Sequence, residues 1–514
     1  MVDLLVRGGM VADGAGGEPV RADVAIDGGR IAAIGTEAIE AATVLDADGL
    51  LVTPGFIDIH SHSDFTLLRD PRAVSAIAQG VTLEVVGNCG HGCFPRANPA
   101  AVYGYDESVG CDWTDAAGYF DRLEQAGPAV NVLSLVPHGQ LRLGTVGLEE
   151  RAATPDELAT MRRWIEESME QGAWGFSTGL EYPCERPAPE ADIVELCRVT
   201  QRAGGLYATH TRARDGGSAA AVEEAVRTAA AADVQLQLSH LLPRSGQAEG
   251  HACLEVVDRA GVAFDMHTRL YGISYLHSAL PAWVLAEAPP ARRDLLADAG
   301  ARSRMRDAET MFSAADWSRI TLLDSATWPE LSRRDIAGIA AERGTTAIDT
   351  VHDLLLGALE TGESLTVLRH CHTPEQQREV FVHPSCVPGS DAMDLAPDGP
   401  LAGVSFHGAY TWAAWFFRYM TRETALLSAG EAVHKLTGQP AATLGLTGRG
   451  VLREGAHADV AAFDAQAFAE RGTTFEPNVE ATGMRHVIVN GVVTMADGAR
   501  TDRRGGAVLR KGSA

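Results

Sequence analysis

Two histidines, His60 and His62, close the run Gly55-Phe56-Ile57-Asp58-Ile59 at an i, i+2 spacing. Side chains alternate along a strand, so both imidazoles leave the same face. Two imidazoles side by side are half of a metal site. Further ligand-type residues follow, each just beyond an apolar run: Cys89 in Gly87-Asn88-Cys89-Gly90, His210 after Ala208-Thr209, His240 after Leu238-Ser239, and Asp391 after Gly389-Ser390. Each type is a competent zinc ligand. A lone buried histidine is usually a satisfied core residue. Three strands ending in His, with Cys and Asp at the same level, point instead to metal-assisted chemistry. Asp58 shares a strand face with the two histidines, as a carboxylate supporting them or as a structural core residue.

The elements that must position these residues alternate short apolar runs with helical stretches, the signature of βα units. Eight candidate strands are Phe56–His60, Val81–Gly87, Val130–Val136, Ala173–Thr178, Leu206–His210, Val234–His240, Val262–Met266 and Cys386–Asp391. Helices are expected over Glu157–Glu170, Ala219–Ala231 and Leu254–Ala260. The expected fold is α/β, a (β/α)8 TIM barrel over 54–439, whose active site lies at the C-terminal strand ends. The connection over about 281–349 exceeds what a barrel loop needs. It reads as a helical insertion, either a lid over the site or a structural appendage. Residues 1–53 and 440–514 read as short strands with hairpin turns at Gly28-Gly29 and Asn490-Gly491. They are expected to meet in one small composite β-sandwich domain.

Composition narrows the function classes. A net charge of −25 argues against a nucleic-acid or anionic-membrane surface. No apolar run approaches the ~18 residues that span a bilayer, and no signal peptide is visible. Eight scattered cysteines suit a reducing cytoplasm. Only Lys435 and Lys511 are lysines among 43 basic residues, so the expected barrel strands carry none.

The chain resembles the amidohydrolase superfamily, and within it the N-acyl-D-amino-acid deacylase (D-aminoacylase) branch. The resemblance runs through Thr53–His62, Gln79–Thr82, Gly87–Gly90, Ser177–Tyr182, Tyr207–His210, Gly389–Asp391 and Gly448–Gly450. It implies one metal position made by His60, His62 and Asp391, and a tighter one made by Cys89, His210 and His240. Cys89 stands where many relatives use a carboxylated lysine, in keeping with the absence of lysine from the expected barrel strands; its alternative role is a small buried hydrophobe. Thiolate favours Zn²⁺ over Mg²⁺ or Ca²⁺, so one or two zinc ions per chain are expected. Zinc would acidify a water and polarise an amide carbonyl, and Asp391 is the expected catalytic base and acid.

Two positions depart from the deacylase pattern. Leu242 stands in place of a lysine, and His267, within Asp265-Met266-His267-Thr268-Arg269, in place of a tyrosine. Both family residues help to bind a substrate carboxylate. Arg212, Arg244 or Arg269 could replace the cation, since Arg suits bidentate carboxylate binding. The candidate substrate-binding positions are thus Tyr182, Arg212, Leu242, His267 and Arg269. The expected substrate is a small-molecule amide, with a carboxylate absent or displayed elsewhere. Hydrolysis of a cyclic amide, as in hydantoinases, and a non-catalytic barrel are the alternatives; the intact ligand set counts against the latter.

Overall fold

The computed structural model describes residues 1–95, 109–244, 246–312 and 315–512. Eight parallel strands form its central sheet, here β1 (Phe56–Asp58), β2 (Val81–Val86), β3 (Asn131–Pro137), β4 (Gly175–Gly179), β5 (Leu206–His210), β6 (Gln235–Leu238), β7 (Ala263–His267) and β8 (Cys386–Gly389). Neighbours in chain order are neighbours in the sheet. The ring closes just past the strand ends, where the Asp391 amide donates to the His60 carbonyl (2.9 Å) and the His62 amide to that of Ala392 (2.7 Å). The barrel therefore closes through the residues expected to do chemistry.

Parallel strands covered on both faces read as continuous apolar runs, and β3 is buried throughout. Its alternate residues serve two cores. Val132 and Val136 pack with Phe120, Ile165 and Leu196 under the helices, whereas Leu133 and Leu135 pack with Ile57, Ile59 and Leu206. The helix expected over Glu157–Glu170 spans Pro155–Glu170. Its start is set by a capping box: Thr154 accepts from the Glu157 amide, and the Glu157 carboxylate accepts from the Thr154 amide.

Strands from both chain ends join in one nine-stranded sheet, in which Leu51–Pro54 pairs antiparallel with Val460–Phe463. Arg449, from the Gly448-Arg449-Gly450 stretch, is spent here. It is buried against Asp459 and donates to Asn490 Oδ1 at 2.9 Å, a structural use.

The stretch 281–349 is largely helical, as expected, with helices such as Pro289–Ala297, Ala299–Arg306 and Ile336–Arg343, but the inserted unit extends beyond those bounds. It carries a three-stranded antiparallel sheet of Tyr271–Tyr275, Ile320–Leu322 and Thr366–His370. The insertion therefore begins directly after β7 and has its own apolar core, which includes Leu276, Ile320, Leu322 and Val367. Its central strand pairs with segments separated from it by long stretches of chain, a relation that no local periodicity records. No described helix is long and apolar enough to cross a membrane.

Candidate metal and amide-binding site

The site is built on turns that ordinary residues seldom adopt. Cys89 (φ 54°), His240 (φ 33°) and Asp391 (φ 44°) all lie in the left-handed region. Such conformations cost on the order of 1–3 kcal/mol each and persist where the surroundings over-determine them. At Cys89 those surroundings are visible. Gly87 (φ 80°) permits the turn after β2, and a Cβ there would run into the Leu135 carbonyl. Ser177 on β4 donates to the Gly87 carbonyl and accepts from the Gly90 amide at 3.1 Å, gripping the turn on both sides of the thiol.

The ligand-type side chains converge. Cys89 Sγ lies 3.2 Å from His60 Nε2 and 3.6 Å from His240 Nε2. Asp391 Oδ1 lies 3.3 Å from His62 Nε2 and 3.6 Å from His60 Nε2. Two candidate metal-holding groups result, His60–Cys89–His240 and His60–His62–Asp391, sharing His60. His210 is turned so that Nε2 meets Glu181 Oε2 at 2.8 Å, while its buried Nδ1 has no hydrogen-bond partner among the described residues. His210 is also close enough to the Cys89 thiol to lower its pKa. A buried ring nitrogen without a partner, on a histidine beside a thiol amid imidazoles, is what a soft or borderline cation would satisfy. The donor set fits zinc.

Electrostatics agree with this arrangement. Burial pushes the Cys89 thiol up, but the neighbouring His60 and His240 outweigh it and hold the thiol well below its usual value. Burial and the Arg214 guanidinium push His240 down to about 4, the neutral form that a ligand needs. Burial opposes ionisation of Asp391, but His62, His60, His240 and Arg269 together hold its carboxyl well below the carboxylate range.

Two positioning carboxylates were not assigned this role in the sequence. Asp265, on β7, places Oδ1 3.0 Å from His60 Nδ1 and 2.8 Å from the His240 amide, and Oδ2 accepts from Gln237 Nε2 at 3.2 Å. Glu181, within the Ser177–Tyr182 stretch, orients His210 and pairs with Arg244. Asp58 does not reach the histidine rings. Its Oδ1 accepts from the Ser390 amide at 3.0 Å and the His60 amide at 3.3 Å, tying β1 to the segment after β8.

The expected substrate positions separate. Tyr182, His267 and Arg269 line the pocket beside the ligand cluster, together with Arg214, Arg244 and Arg369. Tyr182 packs its ring 4.9 Å from that of His210. Arg269 is occupied, donating to the Ser390 carbonyl (2.8 Å), the Asp391 carbonyl (2.9 Å) and Asp391 Oδ2 (3.1 Å). Arg212 is spent on Glu224 at 2.8 Å and on the carbonyls of Arg186 and Ala188, away from the pocket lining. Leu242 is buried in the apolar core, and its carbonyl accepts from Arg214 Nη2 at 2.7 Å. The insertion supplies an apolar wall of Ile273, Met311 and Phe312.

Comparison with known proteins matches residues 43–280 and 393–495 to a family model described as the amidohydrolase family. The D-aminoacylase of Alcaligenes xylosoxydans xylosoxydans is 35% identical over 521 residues, covering 100% of this chain and 98% of that protein. The N-acyl-D-glutamate deacylase of the same organism is 33% identical, covering 99% and 97%. A crystal structure of N-acyl-D-glutamate deacylase from Bordetella bronchiseptica, complexed with zinc and a phosphonate mimic of the tetrahedral intermediate, aligns with TM-score 0.81 at 29% identity over 99% of each chain.

Proposed function

The chain belongs to the amidohydrolase family, and we propose that it is a zinc-dependent hydrolase that cleaves the amide bond of an N-acyl amino acid. One observation carries this reading. Asp391 Oδ1 sits within 3.6 Å of both His60 and His62, and His60 also touches the Cys89 thiol, so a proton-accepting carboxylate adjoins a thiolate–imidazole donor set. Cys89, His210 and His240 would form the tighter holding site, with His60, His62 and Asp391 completing it. Zinc bound there would supply Lewis acidity, polarising the amide carbonyl and acidifying a water.

The residues do the rest. Asp391 accepts the water's proton on a carboxylate oxygen and passes it to the departing nitrogen, which would otherwise leave as an unstable amide anion. Asp391 is ionised at neutral pH, the form that can accept a proton, and because its neighbours make it a weak base the water must itself be acidified. Arg269 fixes that carboxylate through Oδ2 and clamps its backbone, leaving Oδ1 to face the reacting atoms. Asp265 holds the His60 ring from behind, and Glu181 holds that of His210. Ile273, Met311 and Phe312 bring an apolar wall to the pocket, so the insertion helps to exclude water and to contact the acyl or side-chain carbons.

The test is a panel of N-acyl amino acids in both enantiomers, a hydantoin and a simple primary amide, offered to zinc-loaded, chelator-stripped and Asp391→Asn protein. The proposal expects carboxylic acid release from an N-acyl amino acid that disappears on stripping, returns with zinc and falls with Asp391→Asn. Turnover of the hydantoin alone, or turnover indifferent to metal, would contradict it.

A further inference from the structure

Four arginines line the pocket beside the ligand cluster: Arg214, Arg244, Arg269 and Arg369. Three of them are matched by carboxylates. Arg269 pairs with Asp391 at 3.1 Å, Arg244 with Glu181 and with Asp215 at 3.3 Å, and Arg369 with Asp215. Arg214 is not. It is only 8% exposed, and its Nη2 reaches the carbonyls of His240 and Leu242, both at 2.7 Å. No carboxylate pairs with it among the described residues. Glu181 and Asp391 act on it only from beyond contact distance, and a buried guanidinium that no carboxylate touches is costly to desolvate unless something pairs with it directly. This one opens on a pocket shared with His210 and His240. The lysine expected two residues after His240 is replaced by Leu242, whose side chain lies in the core. Arg214 thus puts a cation beside the same segment, reaching it from the loop after β5.

Resting on the amide-hydrolase reading above, we infer that Arg214 receives a carboxylate of the N-acyl amino acid substrate, supported by the neighbouring Arg244, so that the enzyme selects anionic substrates by a route that bypasses Leu242. The same pocket is also lined by apolar side chains, Ile273, Met311, Phe312 and Phe406. The substrate class is therefore amphiphilic, with an anion on the Arg214 side and hydrocarbon against the insertion. The carboxylate can come from the α position or from an acidic side chain. Both offer the planar pair of oxygens that a guanidinium fork binds.

The experiment uses three ligands that differ only in which carboxylate is free: N-acetyl-D-glutamine (α), N-acetyl-D-isoglutamine (γ) and N-acetyl-D-glutamine amide (neither). Binding to metal-stripped protein is read by calorimetry, and kcat/KM on the zinc-loaded enzyme. The expected result is a preference of roughly ten- to a hundredfold for one carboxylated ligand over the diamide, the value of a charge-assisted bond. The ligand that wins identifies the carboxylate. Arg214→Met should abolish that preference, bringing the ratio of carboxylated ligand to diamide to about one, and Arg214→Lys should restore part of it. A wild-type protein that binds all three ligands alike overturns the inference, even if no variant folds. So does a preference that survives Arg214→Met in protein with native circular dichroism and zinc content. Because binding is measured without metal, absence of hydrolysis would count against the proposed reaction and not against the carboxylate receptor.

Discussion

Asp265 is the group on which the two halves of the site lean, and replacing it separates positioning from chemistry. Its Oδ1 takes two donors, His60 Nδ1 at 3.0 Å and the His240 amide at 2.8 Å, and its Oδ2 takes Gln237 Nε2 at 3.2 Å. In Asp265→Asn the oxygen facing His60 and His240 can stay, but the charge behind His60 is gone and an amide NH₂ faces the Gln237 NH₂. A charge-assisted bond of about 1.5–3 kcal/mol becomes a neutral one of about 0.5–1.5 kcal/mol. The net loss on His60 is about 1–2 kcal/mol, or roughly 5- to 30-fold in zinc affinity at 1.4 kcal/mol per decade. That range overlaps the 10- to 100-fold typical of groups that support metal ligands. Asp265→Ala should cost more, because it strands three buried donors at about 1–3 kcal/mol each, less whatever the site relaxes. The assay is zinc titration against a chromophoric chelator, with thermal unfolding of the stripped proteins alongside. An Asn variant that binds zinc within twofold of wild type and keeps its kcat/KM would refute this account of how His60 is held.

Asp391→Asn should fold and retain zinc, yet lower kcat by roughly 10²–10⁴, the usual size of a general acid–base contribution; steady-state kinetics with metal analysis on the same sample check both halves. Gly87→Ala should destabilise by at least about 2 kcal/mol in urea unfolding, because an Ala there would be strained and its Cβ would meet the Leu135 carbonyl. Glu181 is buried, yet Arg244, His210 and Arg214 hold its carboxyl below its ordinary value. A carboxyl with a depressed folded-state pKa adds stability above its unfolded value of about 4.3, and that contribution is lost as pH falls below it. The Tm gap between metal-stripped wild type and Glu181→Gln should therefore be widest above pH ~5 and shrink on acidification; a gap that stays constant down to pH ~3 would contradict the pairing.

The barrel was legible because most of its strands, β3 above all, are short, mainly apolar runs set off by turn residues, and β5 begins and ends where the sequence places it, at Leu206 and His210. His60, His62 and Cys89 were legible from spacing and residue type. Their supports were not. Asp265 meets His60 across 205 residues, and that pairing exists only because barrel closure brings β7 and β1 to one centre. Glu181 lies within Ser177–Tyr182, but nothing local says that its carboxylate turns toward His210. The insertion's sheet was missed for a related reason. Tyr271–Tyr275 finds its partner in Thr366–His370 after an intervening run of helices, and it is half-buried throughout rather than alternating. Arg212, Arg214, Arg244 and Arg269 look alike in sequence. Only their acceptors distinguish the one paired with Glu224, the one clamping Asp391 and the one without a carboxylate.

The central claim is that Cys89 and the histidines around it form one thiolate–imidazole zinc site. X-ray absorption at the zinc edge, on protein loaded with one equivalent of zinc, tests it most directly. A single sulfur scatterer is expected at about 2.3 Å, with nitrogen or oxygen scatterers at about 2.0–2.2 Å, and the sulfur shell should be lost in Cys89→Ala. A first shell of nitrogen and oxygen alone in the wild-type protein, or a sulfur shell that survives Cys89→Ala, would contradict it.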